Sequence, residues 1–252
     1  VIDSNAKDLS QQCRLLGIEY AFSALPSFIA VDVENDLVDA GITVFSNASS
    51  YRRAQGVPLI IPEINPQHYF ESRHYCATNC TLIPLALPVA ALANVVEVLS
   101  VQMRSEQALS GAGWELLFDE EALAGRVNPF IDGEAEKTAA ELLHVMGNRS
   151  NQSVSPAEIG IEVNCERVSR PDGHQVFVEL VTAEPLNHHQ IIDAFRMLGL
   201  QGELPSRPNQ AIHIVEQIDV DHHLWSDGTS FSEHPDPSKD LKTGMAVVVG
   251  NV

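Results

Sequence analysis

The sequence predicts an α/β chain: a parallel sheet in its first part, then an α+β region built on a mixed or antiparallel sheet. Three observations carry this reading. Up to residue 65 short apolar segments alternate with helical stretches of about a dozen residues, the pattern of βαβ units. Beyond residue 80 a single apolar helix gives way to longer segments in which apolar and polar residues alternate. Finally, 252 residues with 44 % apolar content form a globular chain of one large or two modest domains.

Taken in order, "NAKDLSQQCRLLG" (5–17) reads as a helix, "IEYAFSAL" (18–25) as a strand, "SFIAVDVENDLVDAG" (27–41) as a helix and "ITVFSNAS" (42–49) as a strand. Gly17 and Gly41 stand where helix ends are expected. "VPLIIPEIN" (57–65) reads as a further buried strand ending in a loop. Ligands of parallel sheets lie at the carboxyl ends of strands, where Ser23, Ser46, Asn47 and Asn65 fall. "TLIPLALPVAALAN" (81–94) reads as a helix, and "VVEVLSVQMRS" (95–105) alternates like a strand. "IGIEVNCERVSRPDGHQVFVELV" (159–181) alternates on both sides of Pro171-Asp172-Gly173, which predicts an antiparallel hairpin. "NHHQIIDAFRMLG" (187–199) carries Ile191, Ile192, Phe195 and Leu198 at helical spacing. "AIHIVEQIDV" (211–220) and "GMAVVVGNV" (244–252) read as strands. The boundary between the two parts is expected at Cys80, giving domains 1–80 and 81–252.

Thirty-four acidic residues against fifteen basic ones give a net charge of -19. Such a field repels polyanions, so nucleic acid is excluded as a partner, and an anionic substrate requires basic residues grouped locally. The longest apolar run, Leu82 to Val96, is interrupted by Pro84, Pro88 and Asn94 and falls short of the roughly 20 residues that span a bilayer. No membrane segment is expected. Four cysteines at irregular spacing form no disulfide framework, and the first residues lack the features of a secretory signal; both point to a cytoplasmic protein.

Cys80 sits at the entrance to the apolar helix, where unpaired backbone N–H groups lower a thiol's pKa and favour a nucleophile. A cysteine before an apolar helix is also read as a small buried hydrophobe, and the local sequence leaves both readings open. Cys76 reaches Cys80 only if a turn joins them. "DVDHHLWSD" (219–227) reads as a solvated acidic loop rather than a metal site, because adjacent His222 and His223 point apart.

Several segments occur together and in order: "FSALPS" (22–27), "FSNASSYR" (45–52), "PLIIPEIN" (58–65), "TNCT" (78–81), "QALSGAG" (107–113), "GEAEKTAAE" (133–141), "RVSRPDGH" (167–174) and "GMAVVVG" (244–250). In these the chain resembles the aspartate-semialdehyde dehydrogenase family, in particular its archaeal and fungal branch, which also holds malonyl-CoA and succinyl-CoA reductases. The resemblance implies an incomplete Rossmann-like NADP-binding domain over 1–80 and a catalytic and dimerisation domain over 81–252. It implies Cys80 as the nucleophile that forms a thioester, His174 as general acid/base, and Gln107 as the residue that positions the acyl group. It further implies Arg167 on the substrate α-carboxylate, Glu134 and Lys137 on the amine and phosphate, Arg52 on phosphate, and Asn79 beside the nucleophile. Ser23, Ser46, Asn47, Ser110 and Gly111 are the implied NADP contacts. The implied substrates are aspartyl phosphate, aspartate semialdehyde and phosphate, and the implied assembly is a homodimer or homotetramer.

The pattern departs from the family at several points. The Gly-rich "GATG"-type loop is absent, "SGAGWE" being the nearest string, and the chain opens about where the family's third or fourth strand is expected. The family's C-terminal helix has no counterpart before Val252, "CATNC" replaces the usual "TNPNC", and Asn251 stands where an Arg is common. The expectation is therefore an internal part of a dehydrogenase, or a degenerate homologue, whose parallel sheet has an unpaired edge and an uncovered face. A CoA-thioester reductase shares the same thioester chemistry. A Cys/His hydrolase and a non-catalytic assembly protein are the readings from other classes.

Overall fold

The described residues of the computed structural model are 8–199, 202–236 and 238–252; residues 5–7 of the first expected helix lie outside them. The chain runs α1 (Leu9–Leu15), β1 (Tyr20–Ser23), α2 (Ser27–Asp39), β2 (Thr43–Ser46), β3 (His74–Cys76), α3 (Leu82–Ala93), β4 (Val98–Gln107), α4 (Trp114–Leu117), α5 (Glu120–Leu123), α6 (Glu134–Val145), β5 (Asn148–Ser150), β6 (Ser153–Ser155), β7 (Gly160–Arg167), β8 (Gln175–Thr182), α7 (His188–Met197), β9 (Ile212–Ile214), α8 (Val220–His223) and β10 (Val247–Val249). These elements form two compact units. The first holds the residues up to Ile61 with Asn65–Asn79 and Leu143–Ala157; the second holds Pro62–Ile64, Cys80–Leu142 and Glu158–Val252. Among the described residues no helix is long and apolar enough to cross a membrane.

In the first unit β1, β2 and β3 form a parallel sheet in that order, in which Phe22 faces Phe45 and Phe45 faces Tyr75. Gly17 and Gly41 take left-handed φ values of +66° and +84° directly after the two helices, the conformation that ends a helix without a Cβ penalty. Cys13 of α1 and Leu37 of α2 pack with Ile42 and Val44 in the core. The strand expected over 57–65 is not formed: Leu59 makes one parallel bridge with Cys76, and the third strand is His74–Cys76. The reason is that Pro58 and Pro62 have no N–H, so the segment cannot sustain a ladder even though Leu59 and Ile61 are buried. Beneath the sheet Glu34 is fully buried; it accepts from Ser46 Oγ at 2.8 Å and pairs with His74 Nε2 at 2.9 Å. On the opposite face Phe22, Phe45 and Tyr75 stack at 5.2 and 5.4 Å. Phe22 is 85 % exposed and, among the described residues, β1 has β2 as its one sheet neighbour, so within them the sheet shows an uncovered face and an open edge.

A second polar cluster in this unit makes stability depend on pH. Asn65 Nδ2 donates to His68 Nδ1 at 2.9 Å, which leaves Nε2–H of the buried His68 to donate to the Gly147 carbonyl at 3.1 Å. His144 stands edge-on to it at 6.3 Å, and burial, then His68, then Arg53 push its pKa down from 6.5 to about 4. A depressed folded pKa means the unfolded chain binds the proton first, so stability is full above pH 6.5 and declines as pH falls towards 4. Urea midpoints at pH 7 and 4.5 are expected to differ less in His144→Gln than in the parent chain; an unchanged difference overturns this assignment.

In the second unit β4 is the middle of a three-stranded mixed sheet, order β7-β4-β8, with β7 parallel and β8 antiparallel to it. This corrects the expected hairpin. β7 and β8 alternate as predicted and run in opposite directions, but they never pair, because β4 lies between them. Their connection therefore spans the end of β4, where the N–H groups of Leu109 and Ser110 donate to the carbonyls of Arg170 and Pro171 at 2.8 and 3.0 Å. α3 packs Leu87, Ala91 and Leu92 against Ala194, Phe195 and Leu198 of the α7 region and Ile212 of β9. Pro84 falls in the first turn of α3, where its missing N–H costs nothing. Pro88 lies inside the helix, within the buried core. α7 opens on a capping box between Asn187 and Gln190. β9 and β10 pair in parallel as a separate two-stranded sheet.

Candidate active site

The second unit brings most of the expected site residues together. Cys80, an exposed residue, ends the segment before α3, and its Sγ lies 3.3 Å from His174 Nε2. His174 is delivered by the connection that crosses β4, just before β8. Its other ring nitrogen, Nδ1, accepts the Ala108 N–H at 3.3 Å. Gln107, the last residue of β4, is registered opposite Arg167, the last residue of β7, so both side chains leave the sheet at one end and on one face. Both are buried. Arg167 Nη1 donates to the Ala108 carbonyl at 2.6 Å, and Gln107 Nε2 donates to Glu134 Oε1 at 3.0 Å.

α6 presents Glu134 and the buried Thr138 and Glu141 on its inner face. Lys137, expected to share the face of Glu134, is exposed, with Nζ 3.5 Å from the Asp132 carbonyl. The inner stripe follows i, i+4 and i+7, so a residue at i+3 sits at its rim.

The electrostatics differ from the expectation for a cysteine at a helix start. Burial, then the Glu134 carboxylate, pushes the Cys80 thiol up from its ordinary value; hydrogen bonds with Thr81 pull the other way without prevailing. Burial and a carboxylate brought in from α6 thus outweigh the position of the thiol at the start of α3. His174 is pushed down from 6.5, chiefly by burial and next by Arg167. The imidazole is therefore neutral near pH 7.

Other candidate residues lie in the first unit. Asn79 is buried and directly precedes Cys80 in the chain. Arg52 follows a short 3-10 turn, and its Nη2 donates to the Asn47 carbonyl at 2.9 Å. Ser23 and Asn47 lie at the carboxyl ends of β1 and β2, where the Asn47 N–H donates to the Ser23 carbonyl at 2.9 Å. The hydroxyl of Ser23 is buried with no hydrogen-bond partner among the described residues, and that orphan oxygen fits a polar cofactor group. Ser46 differs: its hydroxyl donates to Glu34 at 2.8 Å and accepts the Ala48 N–H at 3.0 Å. In the second unit Ser110 and Gly111 lie on the short 3-10 turn after β4.

Sequence reasoning missed Ala108, whose peptide touches both His174 and Arg167. It also missed the polar layer of Ser105, Thr138 and Cys165 near Gln107, where burial is the main cause that pushes the Cys165 thiol up. The alternation of β4 puts Ser105 and Gln107 on one face and was the available signal. The four cysteines are all free, Cys76 being buried in β3. In the acidic loop His222 pairs with Asp219 at 3.0 Å, while His223 stacks on Phe231 at 4.5 Å.

The family described as Semialdehyde dehydrogenase, NAD binding domain, matches residues 3–72. Aspartate-semialdehyde dehydrogenase of Archaeoglobus fulgidus is 33 % identical over 93 % of this chain and 67 % of its own length. The enzyme of that name from Methanothermobacter thermautotrophicus is 31 % identical over 93 % and 68 %, and that from Aspergillus fumigatus 30 % over 93 % and 67 %. The crystal structure of aspartate semialdehyde dehydrogenase with NADP from Candida albicans superposes with a TM-score of 0.71 at 24 % identity, covering 86 % of this chain and 66 % of that one, which shows the shared fold. The chain thus spans about two thirds of the length of its relatives. With a matching fold and a third of its residues shared with an archaeal relative over nearly its whole length, the chain belongs to the aspartate-semialdehyde dehydrogenase family.

Proposed function

We propose that the chain carries the catalytic centre of an NADP-dependent aspartate-semialdehyde dehydrogenase, which reduces L-aspartyl 4-phosphate to L-aspartate 4-semialdehyde through a thioester on Cys80. The observation that carries this reading is the 3.3 Å approach of Cys80 Sγ to His174 Nε2 with Gln107, Arg167 and Glu134 around it. Each side chain then has a task. The Cys80 thiolate attacks the acyl carbon; a C–S bond forms and phosphate leaves with the C–O bonding pair. His174 hydrogen-bonds the oxygen that gains charge as the carbonyl becomes tetrahedral. Collapse of the tetrahedral adduct breaks the C–S bond, returns the thiolate and releases the aldehyde.

Arg167 offers a planar fork to the α-carboxylate, and Glu134 faces the amine. Gln107, tied to Glu134, holds the acyl chain in line. Arg52 and Lys137 are assigned to the phosphate, and Asn79 flanks the nucleophile. Lys137 and Arg167 supply cations of the second unit for the anionic substrate that a strongly acidic chain would otherwise repel. NADPH would supply the hydride to the thioester carbon, forming the tetrahedral adduct that collapses to the aldehyde, and NADP+ would take the hydride up in the other direction. Ser23, Ser46, Asn47, Ser110 and Gly111 are the residues assigned to hold the cofactor, with Ser23 favoured by its orphan hydroxyl. The reading extends to a cytoplasmic homodimer or homotetramer, and four free thiols are in keeping with a reducing compartment.

The test is oxidation of aspartate semialdehyde with NADP in the presence of either phosphate or CoA. Phosphate-dependent turnover is expected. CoA-dependent turnover without phosphate overturns the choice of acyl phosphate in favour of a CoA thioester.

A further inference from the structure

We propose that the Ala108 peptide, given room by the absence of a side chain at Gly111, holds His174 as a neutral imidazole with its proton on Nε2, so that Cys80 faces a hydrogen-bond donor and not a base. The inference rests on the reading of Cys80 as the nucleophile and adds the protonation state of its partner. It starts from a donor whose hydrogen cannot move. Ala108 N–H points at His174 Nδ1 over 3.3 Å, and a nitrogen that accepts this bond carries no hydrogen of its own. In a neutral ring the proton then resides on Nε2, the atom 3.3 Å from Sγ. An imidazolium would set a second N–H against the Ala108 N–H and lose that bond.

The peptide is clamped on both sides. Its carbonyl accepts from Arg167 Nη1 at 2.6 Å, and the next two N–H groups are bound by the carbonyls of Arg170 and Pro171. The charged groups facing the ring are Arg167 from β7, Arg170 and Asp172 from the connection, Glu134 from α6 and Cys80 itself. Burial and the two guanidiniums oppose a positive ring; Glu134 and Asp172 favour one without prevailing.

Gly111 is the spatial condition for this arrangement. A Cβ there would lie 2.9 Å from both Cε1 and Nε2 of His174 and 3.0 Å from Arg167 Nη1. Even alanine must therefore push the imidazole from Cys80 or the guanidinium from the Ala108 carbonyl. The backbone at Gly111 is not in the left-handed region, so the cost of alanine is contact with these two side chains and not backbone strain.

A chemical consequence follows. An imidazolium–thiolate pair, which keeps a cysteine reactive well into acid, is not formed here. The thiol loses its proton to water, Nε2–H then donates to the thiolate, and the same N–H is in place for the carbonyl oxygen as the C–S bond forms.

The test reads the ring directly. Long-range nitrogen–proton correlation spectra of protein labelled with ¹⁵N-histidine, with His174 assigned by loss of its signals in His174→Gln, are expected to give the Nε2–H neutral pattern between pH 6 and 8. A Nδ1–H or doubly protonated pattern overturns the proposal. Gly111→Ala is expected to lose the fixed Nε2–H pattern, and its retention removes Gly111 from the argument. Alkylation of Cys80 by iodoacetamide supplies a second readout in the parent chain: the rate should rise about tenfold per pH unit from pH 6 to 8, as a lone thiol does. A plateau across that range that vanishes in His174→Gln would mean an ion pair and would overturn the proposal. Neither measurement requires turnover, so the proposal can fail while the dehydrogenase reading stands, and the converse.

Discussion

Cys80→Ser is expected to lower kcat for semialdehyde oxidation by roughly 10³-fold or more, with little change in the urea midpoint. The loss is large because two things disappear at once. A hydroxyl ionises far above a thiol, and the ring 3.3 Å away presents an N–H where an activating base would be needed. Stability is spared because Cys80 is an exposed residue and serine replaces its sulfur with a single smaller atom. Intact-mass measurement after incubation with aspartyl phosphate should show an acyl adduct on the parent chain and none on the variant. An adduct on Cys80→Ser, or residual turnover within tenfold of the parent, would remove Cys80 from the chemistry.

Arg167→Lys is expected to lower kcat/KM by about 10²-fold to 10³-fold, most of it in KM. Arg167 is buried and performs two tasks with one planar group: one N–H holds the Ala108 carbonyl at 2.6 Å while others remain for a carboxylate. A lysine has a single nitrogen on an unbranched stem and cannot do both in that geometry, although the charge is kept. If KM for aspartate semialdehyde is unchanged, the guanidinium serves the fold and not the substrate.

Much of this was legible in the residues. The alternation of apolar and polar positions in 95–105 and 159–181 found β4, β7 and β8, and Gly17 and Gly41 marked both helix ends in the first unit. What failed did so for identifiable reasons. Residues 57–65 are apolar enough for a strand but carry two prolines, so burial was read correctly and hydrogen bonding was not. His74–Cys76 is three residues long, too short for its period to show. The hairpin was inferred from a turn between two alternating runs, a local pattern that cannot reveal a third strand inserted between them.

The site shows the same division. The residue types and their order pointed to Cys80, Gln107, Glu134, Arg167 and His174, and the second unit places these within one constellation. The thiol's direction of shift could not be read that way, because the burial that chiefly raises it and the Glu134 carboxylate that adds to it depend on segments distant in the chain.

By itself, then, the sequence determined the period of the longer elements and the acidity that demands a local cation cluster, since these properties reside in short segments or in composition, while the candidate site residues came from a resemblance spread over the whole chain. The tertiary structure alone decided that β4 separates β7 from β8 and which nitrogen of His174 meets Cys80. Those outcomes depend on contacts between residues 59, 66 and 94 positions apart along the chain, namely Arg167 with Ala108, Ala108 with His174, and Cys80 with His174. Packing sets such contacts, and no local pattern encodes them.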